Sequence, residues 1–303
     1  MLLAQALDQP WRWQPHPEVW LLLVSVVGIG LYVTRVIAPK VVAAGGEAVT
    51  RRQKAFFVAG LVVLWLATDW PMHDIAEEYL YSVHMVQHTL LTMVMPPLFL
   101  FATPTWLARL LLGDGPVGRF LSQLCRPVVA GLAFNLVSAL IHWTTVVNTS
   151  VEVGPFHYAV HSVIVLLAFT MWMPVCGPLP ERRLSLPGQM IYLFLMSIIP
   201  TVPAAWLTLA ENPLYEVYDK PFRMWGVSVA ADQQLAGLIM KIGVGMYLWT
   251  LIAILFFRWA ALHAAADRAG IIRVNERDLL TWDDVQHELE RLPPPREEPQ
   301  ARA

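Results

Sequence analysis

Hydrophobic and polar positions divide this chain into seven apolar runs, at roughly residues 18 to 38, 54 to 69, 79 to 102, 127 to 147, 156 to 176, 187 to 210 and 232 to 257. Crossing a hydrocarbon layer takes about 20 mostly apolar helical residues. The pattern therefore predicts an all-α polytopic membrane protein with seven transmembrane helices. The second run is short, and the third and sixth contain Pro96, Pro97, Pro200 and Pro203. At these prolines a membrane helix is expected to kink, and the carbonyls it frees must find other donors. Residues 103 to 126 read as a short amphipathic segment along one interface, broken between Gly113 and Pro116. After Trp259 the chain turns polar. It is expected to form a short helix in "TWDDVQHELERL", with Thr281 and Asp284 spaced as a capping box, and to end in a disordered "PPP" stretch.

Basic residues set the expected orientation. Lys40, Arg51, Arg52 and Lys54 flank the first loop, Arg109, Arg119 and Arg126 the third, and Arg182 and Arg183 the fifth, whereas the alternate loops hold only Arg12, Lys220 and Arg223. By the positive-inside rule the N-terminus faces outward and the C-terminus the cytoplasm. The organisation is then an outer N-terminal segment over residues 1 to 17, a membrane domain over 18 to 257 and a cytoplasmic tail over 258 to 303. Acidic residues, among them Asp69, Asp74, Glu77, Glu78, Glu152 and Asp232, gather on the outer face, where they would attract a cation.

Composition agrees with the pattern and removes several functions. Of 303 residues, 56% are hydrophobic, 15% are charged and 13 are tryptophan, which is not the composition of a soluble domain. A formal charge of -2 gives no support for nucleic-acid binding. Cys125 and Cys176 form no CxxC pair, so they read as two isolated thiols. The first residues lack a basic segment followed by a long apolar one, so no cleaved signal peptide is expected.

Within this apolar background the histidines stand out. "SVHMVQH" places His84 and His88 one turn apart in the third run, "FHYAVH" repeats the spacing with His157 and His161 in the fifth, and His142 ends the fourth. Imidazoles at i and i+4 share a helix face. With the orientation above, at 1.5 Å per residue, His84 and His88 lie about 8 and 14 Å into their span, and all five fall in the outer half of the membrane. His73 and His16 belong to the loops above. Imidazoles are costly in hydrocarbon and tend to face a functional partner, so the two pairs are expected to hold a metal or cofactor. Asp232, at the start of the seventh run, suits either a helix N-cap or a partner that orients a histidine. Met240, deeper in that run, offers a thioether that would select Cu(I), although methionine is also a common core filler. Lys241 requires a partner or a pathway.

The stretch from His84 to His88 lacks the glutamate of HExxH, and no phosphate-binding glycine loop or CxxCH occurs. The ligand types alone leave a copper or zinc site, a dinuclear centre or a b-type haem open. Imidazoles ligate when neutral, so binding should weaken below about pH 6.5.

Over roughly residues 11 to 258, "HMVQH", "IHW", "HYAVH" and "DQQLAGLIM" together resemble the seven-span bacterial cytochrome c oxidase assembly factors of the CtaG type. The resemblance implies a bacterial plasma-membrane protein, not an enzyme, that supplies copper to the outward-facing centre of a terminal oxidase. Its partner would be an oxidase subunit or a copper chaperone. The matched positions are His84, His88, His142, His157, His161, Asp232 and Met240. A membrane redox protein with haem or a dinuclear centre between the third and fifth spans is the alternative, and a transporter using Lys241 a third reading.

Overall fold

The structure is a computed structural model that describes residues 11–113, 115–268 and 282–291. Among these residues every regular element is helical. The chain divides into two units, residues 1–256 and 257–303. In the first unit the helices are α1 (Pro17–Ala43), α2 (Arg51–Thr68), α3 (Met72–Glu78), α4 (Tyr81–Ala102), α5 (Thr105–Leu111), α6 (Pro116–Leu124), α7 (Pro127–Ile141), α8 (Thr144–Glu152), α9 (Gly154–Cys176), α10 (Leu186–Ile198) and α11 (Thr201–Leu209). The helix α12 (Val229–Arg268) begins in this unit. The second unit contains α13 (Trp282–Arg291), where the polar tail was expected to be helical. Thr281 of the expected capping box and the "PPP" stretch lie outside the described residues.

Six helices are long and apolar enough to cross a membrane, and a seventh crossing exists if α6 and α7, bent by 73° at the Arg126 junction, count as one span. The fourth apolar run, expected to be one helix over 127 to 147, is instead split. Helix α7 covers 15 residues, about 22 Å of rise, and ends at His142, after which α8 starts afresh. The sixth run remains one span over Leu186–Leu209, interrupted by a turn at Pro200 between α10 and α11, and Lys241 Nζ donates to Thr201 Oγ1 at 2.5 Å and to Ser197 O at 3.5 Å across that turn. That is the partner the buried lysine required. The outward faces carry exposed leucine, valine and phenylalanine, such as Leu21, Leu132, Leu166 and Phe194, as expected of a bundle whose solvent is hydrocarbon.

Local sequence explains where the helices start and bend. Thr50 and Gln53 close a capping box on α2, and Ser185 and Ser228 cap α10 and α12 by accepting from the N–H groups of Gly188 and Ala231. In α4, Pro96 and Pro97 remove the N–H groups that would have bonded the carbonyls of Thr92 and Met93. Those carbonyls accept instead from Trp172 Nε1 at 3.0 Å and Tyr247 Oη at 3.0 Å. The backbone just before the prolines widens into a π-helical turn over Leu90–Val94. Trp172 sits at the centre of the main core with Ile164, Ala168, Met171, Leu193 and Leu248.

Helix α12 makes its closest approach to α11 at Gly237, where an added Cβ would stand 2.7 Å from Ala204 O and 2.4 Å from Thr208 Oγ1. Gly243 and Gly245, further along the helix, meet no such crowding.

Candidate metal centre

The start of α4 is fixed from outside its own sequence. Leu80, its N-cap residue, provides no side-chain cap. The carboxylate of Asp232 on α12 fills that role, accepting from Tyr81 N at 2.7 Å and Ser82 N at 3.0 Å. Asp232 thus caps neither its own helix nor a histidine, as expected of it, but the helix that bears His84 and His88. Both of its oxygens are engaged there, which sets it apart from the imidazoles as a positioning residue. Tyr81 then packs against Tyr215 and Tyr218 from the segment between α11 and α12, with ring centroids 4.7 and 5.2 Å away. Tyr215 Oη donates to His142 O at 2.7 Å and Tyr218 Oη to Ala76 O at 3.2 Å. Burial pushes the Tyr215 phenol up to about 12, which keeps it a neutral donor.

Against this wall the two histidine pairs meet. The rings of His84 and His161 are 5.2 Å apart, those of His157 and His161 4.3 Å, and those of His84 and His88 6.5 Å. His142, at the end of α7, closes on His88 at 5.8 Å. The five histidines expected to act together are therefore one cluster. His73 extends it, 6.3 Å from His157, and His16 stands 4.9 Å from His73. Those two have other attachments: His16 Nε2 lies 2.6 Å from Asp74 Oδ1, and Gln87 Nε2 donates to His73 Nδ1 at 3.2 Å.

Glu77 joins the cluster although sequence reasoning placed it only among the outer acids. Its Oε1 is 3.1 Å from His84 Nδ1 and its Oε2 is 3.3 Å from His157 Nδ1. One ligand atom from each of Glu77, His84 and His161 lies within 4.8 Å of the other two. Glu77 was hidden because a helix break at Leu80 separates it from His84, so no single-helix spacing links them. The usable signal was that His73 and Glu77 are themselves one turn apart.

Two small cavities adjoin the imidazoles. One, about 30 Å³, is lined by Tyr81, His84, Met85, His88, His142 and His161 among others. The second, about 40 Å³, lies on the other side of His88 and His142 and is lined also by Thr92, Pro200 and Met240. Each has the room of a single ion or water. A wider groove of about 450 Å³ bordered by α1, α2, α4 and α9 reaches His73, His157 and His161 from the side. His142 Nδ1 is 2.5 Å from Ser138 O, so it carries the proton and leaves Nε2 with a free lone pair. The Nε2 atoms of both His88 and His142 are buried with no hydrogen-bond partner among the described residues. Orphaned imidazole nitrogens beside small cavities suit a metal ion. In the second unit, His263 and His287 are exposed.

Two mycobacterial proteins, Mb0105 of Mycobacterium bovis and MT0111 of Mycobacterium tuberculosis, both described as uncharacterized, are each 27% identical to this chain over 278 residues, covering 82% of it. The chain spans only 42% of the length of either relative. No solved structure matches. The sequence profile of the cytochrome c oxidase caa3 assembly factors matches residues 30–261, an extent that takes in α2 to α11, about half of α1, most of α12, and every member of the Glu77, His84, His88, His142, His157 and His161 cluster. The chain belongs to the cytochrome c oxidase caa3 assembly factor family.

Proposed function

We propose that this protein is a copper-handling assembly factor of the bacterial plasma membrane, not an enzyme, that takes up copper in its histidine cluster and yields it to a copper-containing oxidase. The observation that carries the reading is the convergence of Glu77, His84 and His161 from three separate helices, within 4.8 Å. The cluster opens, on this reading, toward the outer face, under the acidic rim that would concentrate cations. Copper moves by ligand exchange to an oxidase subunit or a copper chaperone, with no covalent step for the chain to perform. Zinc shares the imidazole and carboxylate preference, but the thioethers of Met85 and Met240 beside the cavities favour copper.

A b-type haem fits less well. Its macrocycle would have to enter between imidazoles that enclose room for one ion, about 30 Å³. The transport reading has less to rest on, because Lys241 is held by Thr201 and Ser197.

The test is made in cells. In a host strain lacking the corresponding gene, the wild-type chain should restore copper content and activity of the terminal oxidase, and a His84→Ala, His161→Ala variant present at equal membrane levels should not. Full restoration by that variant would contradict the proposal.

A further inference from the structure

We propose that the cluster contains two metal stations rather than one, and that the deeper station, His88, His142 and Met240, takes a soft monovalent ion while Glu77, His84 and His161 take a divalent one. This deepens the copper-handling reading and rests on it. His88 and His142 present unpartnered Nε2 atoms, and their rings are 5.8 Å apart. Both line the cavity of about 40 Å³ that Met240 also lines. Among the described residues no carboxylate borders that cavity, whose lining is imidazole, thioether, hydroxyl and hydrocarbon.

Charge decides between the ions. The cost of placing an ion in a low-dielectric site grows with the square of its charge, so with neutral donors alone a divalent ion costs about four times as much as a monovalent one. Imidazole and thioether are donors that Cu(I) accepts and that hard divalent cations do not seek. Glu77 supplies the missing negative charge only at the other station.

The backbone gives independent support. Non-helical backbone at membrane depth is tolerated where it is buried in protein or lines a cavity, and π-helical turns recur at functional sites. Four such irregularities converge on this one cavity. They are the π-turn Leu90–Val94 of α4, the π-turn Ile239–Gly243 that carries Met240, the break before α11 at Pro200, and the end of α7 at His142. Their residues Thr92, Met93, Pro200, Met240 and His142 all line it.

The test uses the purified full-length protein in detergent. It is titrated anaerobically with Cu(I) against a chromophoric Cu(I) chelator, and separately with Zn(II). The wild type is expected to take both ions. A Glu77→Gln, His84→Ala variant should lose Zn(II) and keep Cu(I). A His88→Ala, His142→Ala variant should keep Zn(II) while its Cu(I) affinity falls at least about 100-fold, since even a partner that merely orients a ligand is worth about 10–100-fold. His88→Gln, His142→Gln, closer in size and polarity, guards against loss of fold and should behave alike. Met240→Leu should retain copper but remove sulfur from the shell seen by X-ray absorption. Cu(I) lost with the Glu77 variant and kept by both His88 and His142 variants would overturn the two-station arrangement while leaving copper handling intact. A wild type that binds no copper would overturn both.

Discussion

At the scale of single residues, Glu77 and Asp232 set two carboxylates to different tasks, one between imidazoles and the other on the N–H groups that open a helix. Glu77 spans His84 and His157 with its two oxygens, so removing its charge should weaken the divalent site most. Glu77→Gln is expected to reduce Zn(II) affinity about 10–100-fold in a competition titration, and unchanged affinity would remove Glu77 from the site. Asp232 acts on backbone. Asp232→Ala should cost about 0.5–2 kcal/mol as a lost cap, read as a lower thermal midpoint in detergent, with a smaller effect on Zn(II) than Glu77→Gln. The pairs His84/His88 and His157/His161 could be found from sequence because i and i+4 spacing of imidazoles in apolar runs has few structural uses, and His142 because it falls at the same depth by topology. Glu77 and the true role of Asp232 were not legible, since each acts across a helix break or between helices, where spacing along one chain segment carries no information.

At the scale of elements, the irregular helices are where sequence and structure part. Seven apolar runs announced the bundle, and proline positions announced where α4 would lose its own hydrogen bonds. Hydropathy could not show that the fourth run stops at His142, because Trp143 to Val147 stay compatible with a continuing apolar helix. It could not name the donors that satisfy Thr92 and Met93 either. In hydrocarbon an orphaned carbonyl has no water to turn to. Tyr247→Phe should therefore destabilise the protein by about 1–3 kcal/mol, the cost of leaving a buried acceptor unsatisfied. The measurement is again the unfolding midpoint, and a variant as stable as wild type would show that the Met93 carbonyl is satisfied otherwise.

At the scale of the whole molecule, an apolar bundle carries a polar cluster, and the chain belongs to a family of oxidase assembly factors; the proposal joins the two. The cluster must then face outward. A fluorescent protein that folds only in the cytoplasm, joined after residue 303, should be bright, and an exported phosphatase joined there should be silent; the reverse pattern would invert the orientation. If four imidazoles from α4 and α9 form the proposed metal site, copper content must depend on them. Copper bound per protein is to be measured for purified wild type and for the His84→Ala, His88→Ala, His157→Ala, His161→Ala variant after identical loading and washing. Stoichiometric copper is expected in the wild type and almost none in the variant; equal copper in the two would remove these imidazoles from any metal site.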